Sequence, residues 1–305
     1  MQVACVAAVA NSVGESAVWC DRSNRLWWVD IAAKRIHSFN PDTSEVTTHP
    51  MTTLPTSIGL CEDGGFILGM RHDVCLWDGA NQFKWLVTPE PLLEHNRLNE
   101  GCVGPDGCFW VGTMQDNLSA DGSLIEVSGS TGAIYRITPA GELIQETPAV
   151  FGVCNTFAWL GDETPIAPST PTRLITADTS TNTLYAYQYS TEQGVIGEPS
   201  LFAPPFERGL PDGSCIDKYG YLWNCRVAGG GCVVRYRPDG SLDRVVDLPC
   251  SWPTSCAFGG KDLDTLYVTS ARIALTPEWL DAHPMEGGLF AFKPDVTGRG
   301  AYRFG

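Results

Sequence analysis

Six polar residues occupy equivalent places in a pattern that recurs along the chain, each at the head of a short apolar stretch. They are Glu15, Thr56, Asn99, Asn155, Asp212 and Thr254. If the repeats surround one axis, two carboxylates and two amides meet there and form an oxygen-rich cage, which hard divalent cations prefer. Because Glu15 and Asp212 would repel each other without a cation between them, the pattern predicts a divalent-metal site. The alternative is that each residue only caps a strand end, as Asx residues often do.

The elements that must position these residues are pairs of strands. Each unit starts with the polar residue and an apolar strand, passes through a turn, and ends in an aromatic-rich strand, as in NEGCVGPDGCFWVGTM from Asn99. The units begin roughly 40 to 60 residues apart, which is the period of propeller blades, and further strands such as CVVRYRPDG lie between them. The sequence therefore predicts an all-β fold, a six-bladed β-propeller with four antiparallel strands per blade. Residues 1–305 would form a single domain whose innermost strands line a channel.

Closing the ring must protect the open edges of the first and last blades. We expect a strand near residues 3–8 to complete a blade with a C-terminal strand near Tyr302, because blades closed around an axis leave only short edges. Helix is sparse, and TPEWLDAH at residues 276–283 is the one candidate helical turn. Since no exposed strand edge needs a partner, we expect a monomer.

Composition argues against several classes of protein. The chain has 35 acidic and 20 basic residues and a net charge of −15. Nucleic acids and anionic membranes both bind basic faces, so neither is an expected partner. No stretch reaches transmembrane length, and the apolar N-terminus lacks the basic residues of a secretory signal. Twelve cysteines occur without a CxxC pair, so we expect buried free thiols in a cytoplasmic protein rather than disulfides or a zinc ribbon.

Several motifs, in their order along the chain, resemble those of the SMP-30/gluconolactonase/LRE-like family, which includes regucalcin and bacterial sugar lactonases. GESAVW at residues 14–19 is similar to GESP-x-W, RLNEG at 97–101 to R-x-N-D-G, PDGCFWVGTM to P-x-G-R-F-W-x-G-T-M, and NTFAW at 155–159 to N-G-L-A-W. LPDGSCID, CAFGGKDLDTLYVTSAR and GGLF complete the pattern. Each motif alone is unspecific, but their shared order covers nearly the whole chain.

The resemblance implies a six-bladed propeller, in agreement with the repeat, and it implies roles for particular residues. The implied ligands of one divalent ion are Glu15, Asn155 and Asp212. The implied substrate-binding residues are Arg97, Asn99 and Glu100. The family has Asp where this chain has Glu100, and Gly where it has Thr156, so the chain departs from the pattern at these two positions. The segment after Met114 would form a loop over the channel mouth, from which Asp116 or Asn117 could touch the substrate.

The reaction that the resemblance implies is hydrolysis of a sugar lactone, such as glucono-, xylono-, arabino- or galactonolactone, to the aldonic acid. The ion, which could be Ca²⁺, Zn²⁺, Mn²⁺, Mg²⁺ or Fe²⁺, would polarise the carbonyl and acidify a water, and Asp212 would be the general base. No G-x-S-x-G elbow and no HExxH motif occurs, which disfavours serine-hydrolase and zincin chemistry. Two alternatives stay open: hydrolysis of organophosphate or other esters, and calcium binding without turnover.

Overall fold

Six small sheets surround a channel in the computed structural model, which describes residues 1–119, 122–161, 172–190 and 192–305. Each sheet contains four antiparallel strands, and one sheet carries a fifth short strand in parallel. The predicted six-bladed β-propeller is thereby confirmed.

The first three blades follow one another along the chain, and in each the strands run from the innermost outward in sequence order. The chain opens with β1 (Ala4–Ala7), and blade 1 follows as β2 (Gly14–Cys20), β3 (Arg25–Asp30), β4 (Arg35–Asn40) and β5 (Glu45–Pro50). Blade 2 contains β6 (Pro55–Cys61), β7 (Phe66–Met70), β8 (Val74–Trp77) and β9 (Phe83–Val87). Blade 3 contains β10 (Asn96–Val103), β11 (Phe109–Gln115), β12 (Ile134–Ile137) and β13 (Leu143–Gln145).

Blades 4 and 5 repeat this arrangement, and blade 6 is completed by the start of the chain. Blade 4 contains β14 (Cys154–Leu160), β15 (Arg173–Asp178), β16 (Thr183–Ser190) and β17 (Gly194–Ala203). Blade 5 contains β18 (Leu210–Ile216), β19 (Leu222–Val227), β20 (Cys232–Tyr236) and β21 (Leu242–Asp247). Blade 6 contains β22 (Pro253–Gly259), β23 (Thr265–Ser270), β24 (Leu289–Phe292) and the outermost β1. The last strand is β25 (Arg303–Phe304).

The ends of the chain close the ring differently from the expectation. Strand β1 pairs with β24, and not with a strand near Tyr302. Strand β25 instead runs parallel to β6 of blade 2, with Arg303 opposite Leu60. The segment before it contains Pro294, Gly298 and Gly300, which disfavour a long strand. It crosses under the channel from blade 5, where Gly298 bridges Asp217.

The remaining expectations about local structure concern one helix and the cysteines. Helix α1 (Pro277–Ala282) begins after Thr276, whose hydroxyl caps it by accepting from the N–H of Trp279. No helix among the described residues is long and apolar enough to span a membrane. All twelve cysteines are free, and most are buried.

Neighbouring blades pack through their innermost strands. In ring order, β2, β6, β10, β14, β18 and β22 each contact the next, and β22 contacts β2 again. Large aromatic side chains fill the spaces between blades: Trp19 of blade 1 stacks on Tyr267 of blade 6, with ring centroids 5.9 Å apart. Trp159 of blade 4 meets Trp110 of blade 3 edge-on at 5.8 Å. This packing fixes the spacing of the six inner strands and therefore of the side chains at their heads.

Two blades each contain a buried aspartate that binds a tryptophan and an arginine, an arrangement we call a clamp. In blade 5 the carboxylate of Asp217 accepts from Trp223 Nε1 at 3.0 Å and from Arg235 Nε at 2.9 Å. Its other oxygen accepts from the backbone N–H groups of Tyr219 and Tyr221, so the carboxylate holds the turn between β18 and β19. Blade 3 repeats the clamp with Asp106, Trp110 and Arg136. The clamps tie a blade's turn to its second and third strands.

Replacing Asp217 with Ala should lower the free energy of unfolding by about 3–5 kcal/mol, because it leaves a buried guanidinium without its main counter-ion. Urea unfolding followed by tryptophan fluorescence measures this loss. The control is Asp239→Ala in the exposed turn of the same blade, which should leave the unfolding midpoint unchanged. Equal effects of the two substitutions would contradict the structural role of the clamp.

Candidate active site

A bulge in every innermost strand sets the direction of the side chain at its head. Each of the six strands places one extra residue opposite its partner strand, at or next to the polar position that the repeat aligns. In blade 1 the irregularity lies between Glu15 and Val18, and in blade 4 between Asn155 and Ala158. A β-bulge bends the strand and re-aims a side chain. The repeated bulges thus turn side chains that would otherwise alternate across the sheet towards one axis.

Thr156 shows what the bulge requires of the backbone. Its φ is 59°, in the left-handed region that a β-branched residue rarely adopts. The Thr156 hydroxyl donates to the Asp212 carbonyl at 2.5 Å and lies 2.9 Å from the Ser214 hydroxyl. These bonds join blades 4 and 5 directly under the site and offset part of the backbone strain. The departure from glycine at this position therefore has a local structural compensation.

The upper end of the channel contains a cavity of about 180 Å³ with a polar floor. The floor is formed by Glu15, Arg97, Asn99, Asn155 and Asp212. Each of these five residues is less than 9% exposed. Residues that lie far apart in the sequence, and on four different blades, thus meet in one pocket.

The carboxyl groups of Glu15 and Asp212 lie within interaction range, and each affects the pKa of the other. Burial, and next the charge of Asp212, raise the pKa of Glu15 well above its usual range. Burial also raises the pKa of Asp212 to about 8, while its interaction with Glu15 opposes that shift. In the protein alone, the pair therefore retains a proton at neutral pH, because two desolvated carboxylates in contact repel each other.

The two amide side chains lie beside this pair and are hydrogen-bonded to each other. Asn99 Nδ2 donates to Asn155 Oδ1 and to the Cys154 carbonyl, both at 2.9 Å. Asn155 Nδ2 donates to Thr179 Oγ1 at 2.8 Å. These bonds fix which end of each amide is the oxygen. Asn155 Oδ1 receives one hydrogen bond and keeps a second lone pair for a cation.

Arg97 brings the positive charge of the floor. Its Nη1 donates to the Leu98 carbonyl and to Asn99 Oδ1, both at 2.8 Å, and its Nε and Nη2 donate to Asn117 Oδ1 at 3.2 and 2.7 Å. Asp116 lies 3.6 Å from Arg97 Nε and also binds Arg71 at 2.6 Å. Burial lowers the pKa of Arg97 to about 10, so it remains cationic at neutral pH. Four of its five N–H groups are therefore engaged, and one on Nη2 is available to a ligand.

Of the other residues singled out in the sequence, Thr254 also lines the cavity, whereas Thr56 and Glu100 do not. The Thr56 hydroxyl faces the backbone of Gly69, and the Thr254 hydroxyl is bonded to the Gly14 carbonyl and to Thr269. Glu100 is not among the residues that line the cavity. Its carboxyl accepts from the Gly101 N–H at 3.1 Å, and burial raises its pKa well above the usual range. Glu100 thus lies below the floor, and its predicted contact with substrate remains a prediction.

The loop after Met114 covers the cavity, and of the two loop residues expected near the substrate, Asn117 lines the cavity whereas Asp116 does not. Residues 120 and 121 of this loop lie outside the described part of the chain. The sequence did not point to Thr179 or to the apolar residues that form the cavity's upper wall. These are Val13, Ile31, Leu118, Leu124, Val153, Val227, Trp252, Ala271 and Ile273. Most of them lie at strand ends: Val13, Val153 and Trp252 each stand two residues before an aligned polar residue, but as apolar residues they gave no chemical signal in the sequence.

A divalent cation fits the donor set on the floor. Two carboxylates and an amide oxygen are hard ligands, and a cation between Glu15 and Asp212 would remove the repulsion that otherwise keeps the pair protonated. No cluster of three or more His, Cys, Asp and Glu side chains with metal-binding geometry occurs among the described residues. A cation here would therefore depend on the Asn155 amide, and on water or substrate, for the rest of its coordination.

Residues 13–272 match the family model described as the SMP-30/gluconolactonase/LRE-like region. This chain belongs to the SMP-30/gluconolactonase/LRE-like family. It is 33% identical to the 6-deoxy-6-sulfogluconolactonase of Pseudomonas putida, over 96% of this chain and 95% of that protein. It is 31% identical to regucalcin of Oryctolagus cuniculus, over 98% and 95% of the two chains. The solved structure of an Agrobacterium tumefaciens regucalcin, described as a calcium-binding protein, matches with a TM-score of 0.88 and 25% identity, over 98% and 96% of the two chains.

The raised pKa of Asp212 predicts an unusual pH dependence of stability in chelator-treated protein. An unfolded aspartate titrates near pH ~4, whereas Asp212 in the folded state titrates at about 8. Between these values the folded state holds a proton that the unfolded chain has lost. The stabilisation from this group is therefore complete below pH ~4 and disappears as the pH rises to about 8.

Melting temperatures of the wild type and of Asp212→Asn, measured from pH 5 to 8 with chelator, test this dependence. Asparagine cannot ionise, so the variant should gain stability relative to the wild type as the pH rises. Asp262→Asn, at an exposed position, should follow the wild type throughout. A difference between Asp212→Asn and the wild type that does not change with pH would contradict the assignment.

Proposed function

We propose that this protein is a metal-dependent hydrolase that opens the ring of a sugar lactone, such as glucono-, xylono-, arabino- or galactonolactone, to the aldonic acid. The observation that carries the proposal is the pair of buried carboxyl groups, Glu15 and Asp212, beside the Asn155 amide in one cavity. The name of the Pseudomonas putida relative supports lactone hydrolysis as the type of reaction.

Glu15, Asn155 and Asp212 would hold one divalent ion, which could be Ca²⁺, Zn²⁺, Mn²⁺, Mg²⁺ or Fe²⁺. When bound, such an ion supplies Lewis-acid activation of a carbonyl and lowers the pKa of water. The oxygen ligands suit Ca²⁺, Mg²⁺ and Mn²⁺ well. The description of the Agrobacterium tumefaciens structure as calcium-binding is consistent with such an ion.

Asp212 is the proposed general base. One of its carboxylate oxygens would accept a proton from the water that attacks the lactone carbonyl carbon. The ring C–O bond then breaks, and the proton passes to the ring oxygen, which leaves as a hydroxyl group. The product is the open-chain acid, and no redox partner is required.

Arg97 and Asn99 would orient the lactone. The remaining N–H of Arg97 Nη2 is directed at the cavity floor by the bonds that Asn99 and Asn117 make to the same guanidinium. A donor fixed in advance stabilises the oxyanion that develops on the carbonyl oxygen without reorganising during the reaction. The loop carrying Leu118 and Leu124 would exclude bulk water from the site.

Calcium binding without turnover is the second candidate function, because one solved relative is described as a calcium-binding protein. Both functions would use the same carboxylates, so metal binding alone does not separate them. Turnover separates them directly. Organophosphate and other esters remain alternative substrates for the same donors.

The decisive experiment strips the protein with a chelator and follows acid release from a panel of aldonolactones while one divalent ion at a time is added back. We expect turnover to return with at least one ion. Asp212→Asn should reduce kcat by at least about a hundredfold, because it removes the base. The control Asp262→Asn should retain wild-type activity. Tight binding of an ion without turnover of any lactone would exclude the lactonase and favour the binding protein.

A further inference from the structure

The cavity above the floor is apolar, and this bears on the part of the substrate that lies away from the carbonyl. Leu118 packs in one cluster with Ile31, and Val13 and Ile273 pack against the same cluster. Leu118 comes from blade 3, whereas Val13 and Ile31 flank strands of blade 1. The loop thus reaches across the channel mouth and joins an apolar wall on the far side.

The loop holds its shape through backbone contacts of its own. Leu118 and Leu124 form an isolated β-bridge, and the N–H of Ile125 donates to the Asn117 carbonyl at 2.7 Å. Asp116 Oδ1 accepts from the N–H of Leu118 at 3.0 Å. These bonds turn Asn117 towards Arg97 and Leu124 towards the cavity, so the polar and apolar contacts of one loop are separated in space.

The one cationic side chain in the cavity lining already has hydrogen-bond partners and a carboxylate nearby. Arg97 is the one Lys or Arg among the described residues that line this cavity. Four of its N–H groups are already bonded, and its charge is offset by Asp116. Glu15 and Asp212 are matched by the divalent ion of the proposed function. The remaining N–H of Arg97 is taken by the lactone carbonyl in the proposed function. A sulfonate, phosphate or carboxylate at the distal end of the substrate would therefore lose hydration without gaining a cationic partner.

The hydroxyl groups near the wall are also engaged. Thr179 Oγ1 donates to the Pro211 carbonyl at 2.7 Å and accepts from Asn155. The Thr254 hydroxyl is bonded to the Gly14 carbonyl. Asn117, whose side-chain oxygen accepts from Arg97, is the polar residue that the loop adds to this lining. A hydroxyl group that lies against Leu118, Leu124 and Trp252 would therefore meet mostly apolar carbon.

We infer that this pocket selects an uncharged lactone whose distal carbon is apolar, a deoxy-sugar lactone ending in a methyl group rather than in a hydroxymethyl or an anionic group. The inference rests on the proposed lactonase function and adds the substrate class. It sets this chain apart from the relative named for a sulfonated gluconolactone. Leu118, Leu124 and Trp252 form the part of the wall that recognises the methyl group.

Three lactones that differ in one group test the inference: 6-deoxy-D-glucono-1,5-lactone, D-glucono-1,5-lactone and 6-deoxy-6-sulfo-D-glucono-1,5-lactone. We expect kcat/KM to be about tenfold to a hundredfold higher for the methyl than for the hydroxymethyl compound, the usual effect of one small group in an apolar pocket. The value of kcat/KM for the sulfonated lactone should be lower again, by about a further hundredfold, because its charge would lose water without gaining a counter-ion.

A matched pair of variants locates the effect. Leu124 and Ile125 are neighbours of similar exposure, 46% and 47%, but of the two Leu124 alone lines the cavity. Leu124→Arg should raise kcat/KM for the sulfonated lactone at least tenfold and lower it for the methyl compound. Ile125→Arg should leave the order of the three substrates as in the wild type.

The outcomes separate the inference from the function on which it rests. No turnover of any of the three lactones, with any ion, overturns the proposed lactonase. Turnover in which the sulfonated or hydroxymethyl lactone is preferred overturns the apolar-substrate inference and leaves the lactonase standing. Equal responses of Leu124→Arg and Ile125→Arg would show that the wall at Leu124 does not contact the substrate.

Discussion

The burial of two carboxyl groups against each other, Glu15 and Asp212, is the constraint on which the site depends. Both are removed from water at the floor of one cavity, and their mutual repulsion keeps a proton on the pair in the protein alone. A divalent cation satisfies the same constraint without the proton. The neighbouring groups suit a divalent cation, since Asn155 presents an amide oxygen and the positive charge of Arg97 lies near the carboxylate of Asp116.

The repeat that forms the blades also brings these two carboxyl groups together. Every inner strand carries one extra residue near its head, and five of the six aligned residues beside these bulges line the cavity. Packing of Trp19 and Trp159 between blades sets the width of the ring. Evolution can therefore change the residues at the strand heads, or the loops above them, without changing the framework.

Much of this could be predicted from the sequence, because repetition makes equivalent positions visible. The blade number and the meeting of Glu15, Asn99, Asn155 and Asp212 in one cavity follow from the repeat phase. Chain closure was predicted wrongly, since the pairing of β1 with β24 depends on where the last segment crosses the channel. The apolar wall was missed for two reasons. Leu124 lies in a loop of blade 3 that meets the wall only in three dimensions, and Trp252, although it stands two residues before Thr254 as Val13 stands before Glu15, carries no polar group that marks it in the sequence.

The measurement that tests the account most directly is anomalous X-ray diffraction from crystals of the chelated protein soaked in Mn²⁺. The account predicts one strong anomalous peak on the channel axis, within bonding distance of carboxylate oxygens of Glu15 and Asp212 and of Asn155 Oδ1. It also predicts that the peak disappears in Asp212→Asn. A channel without a peak, or a Mn²⁺ ion bound elsewhere while the two carboxyl groups still share a proton, would contradict it.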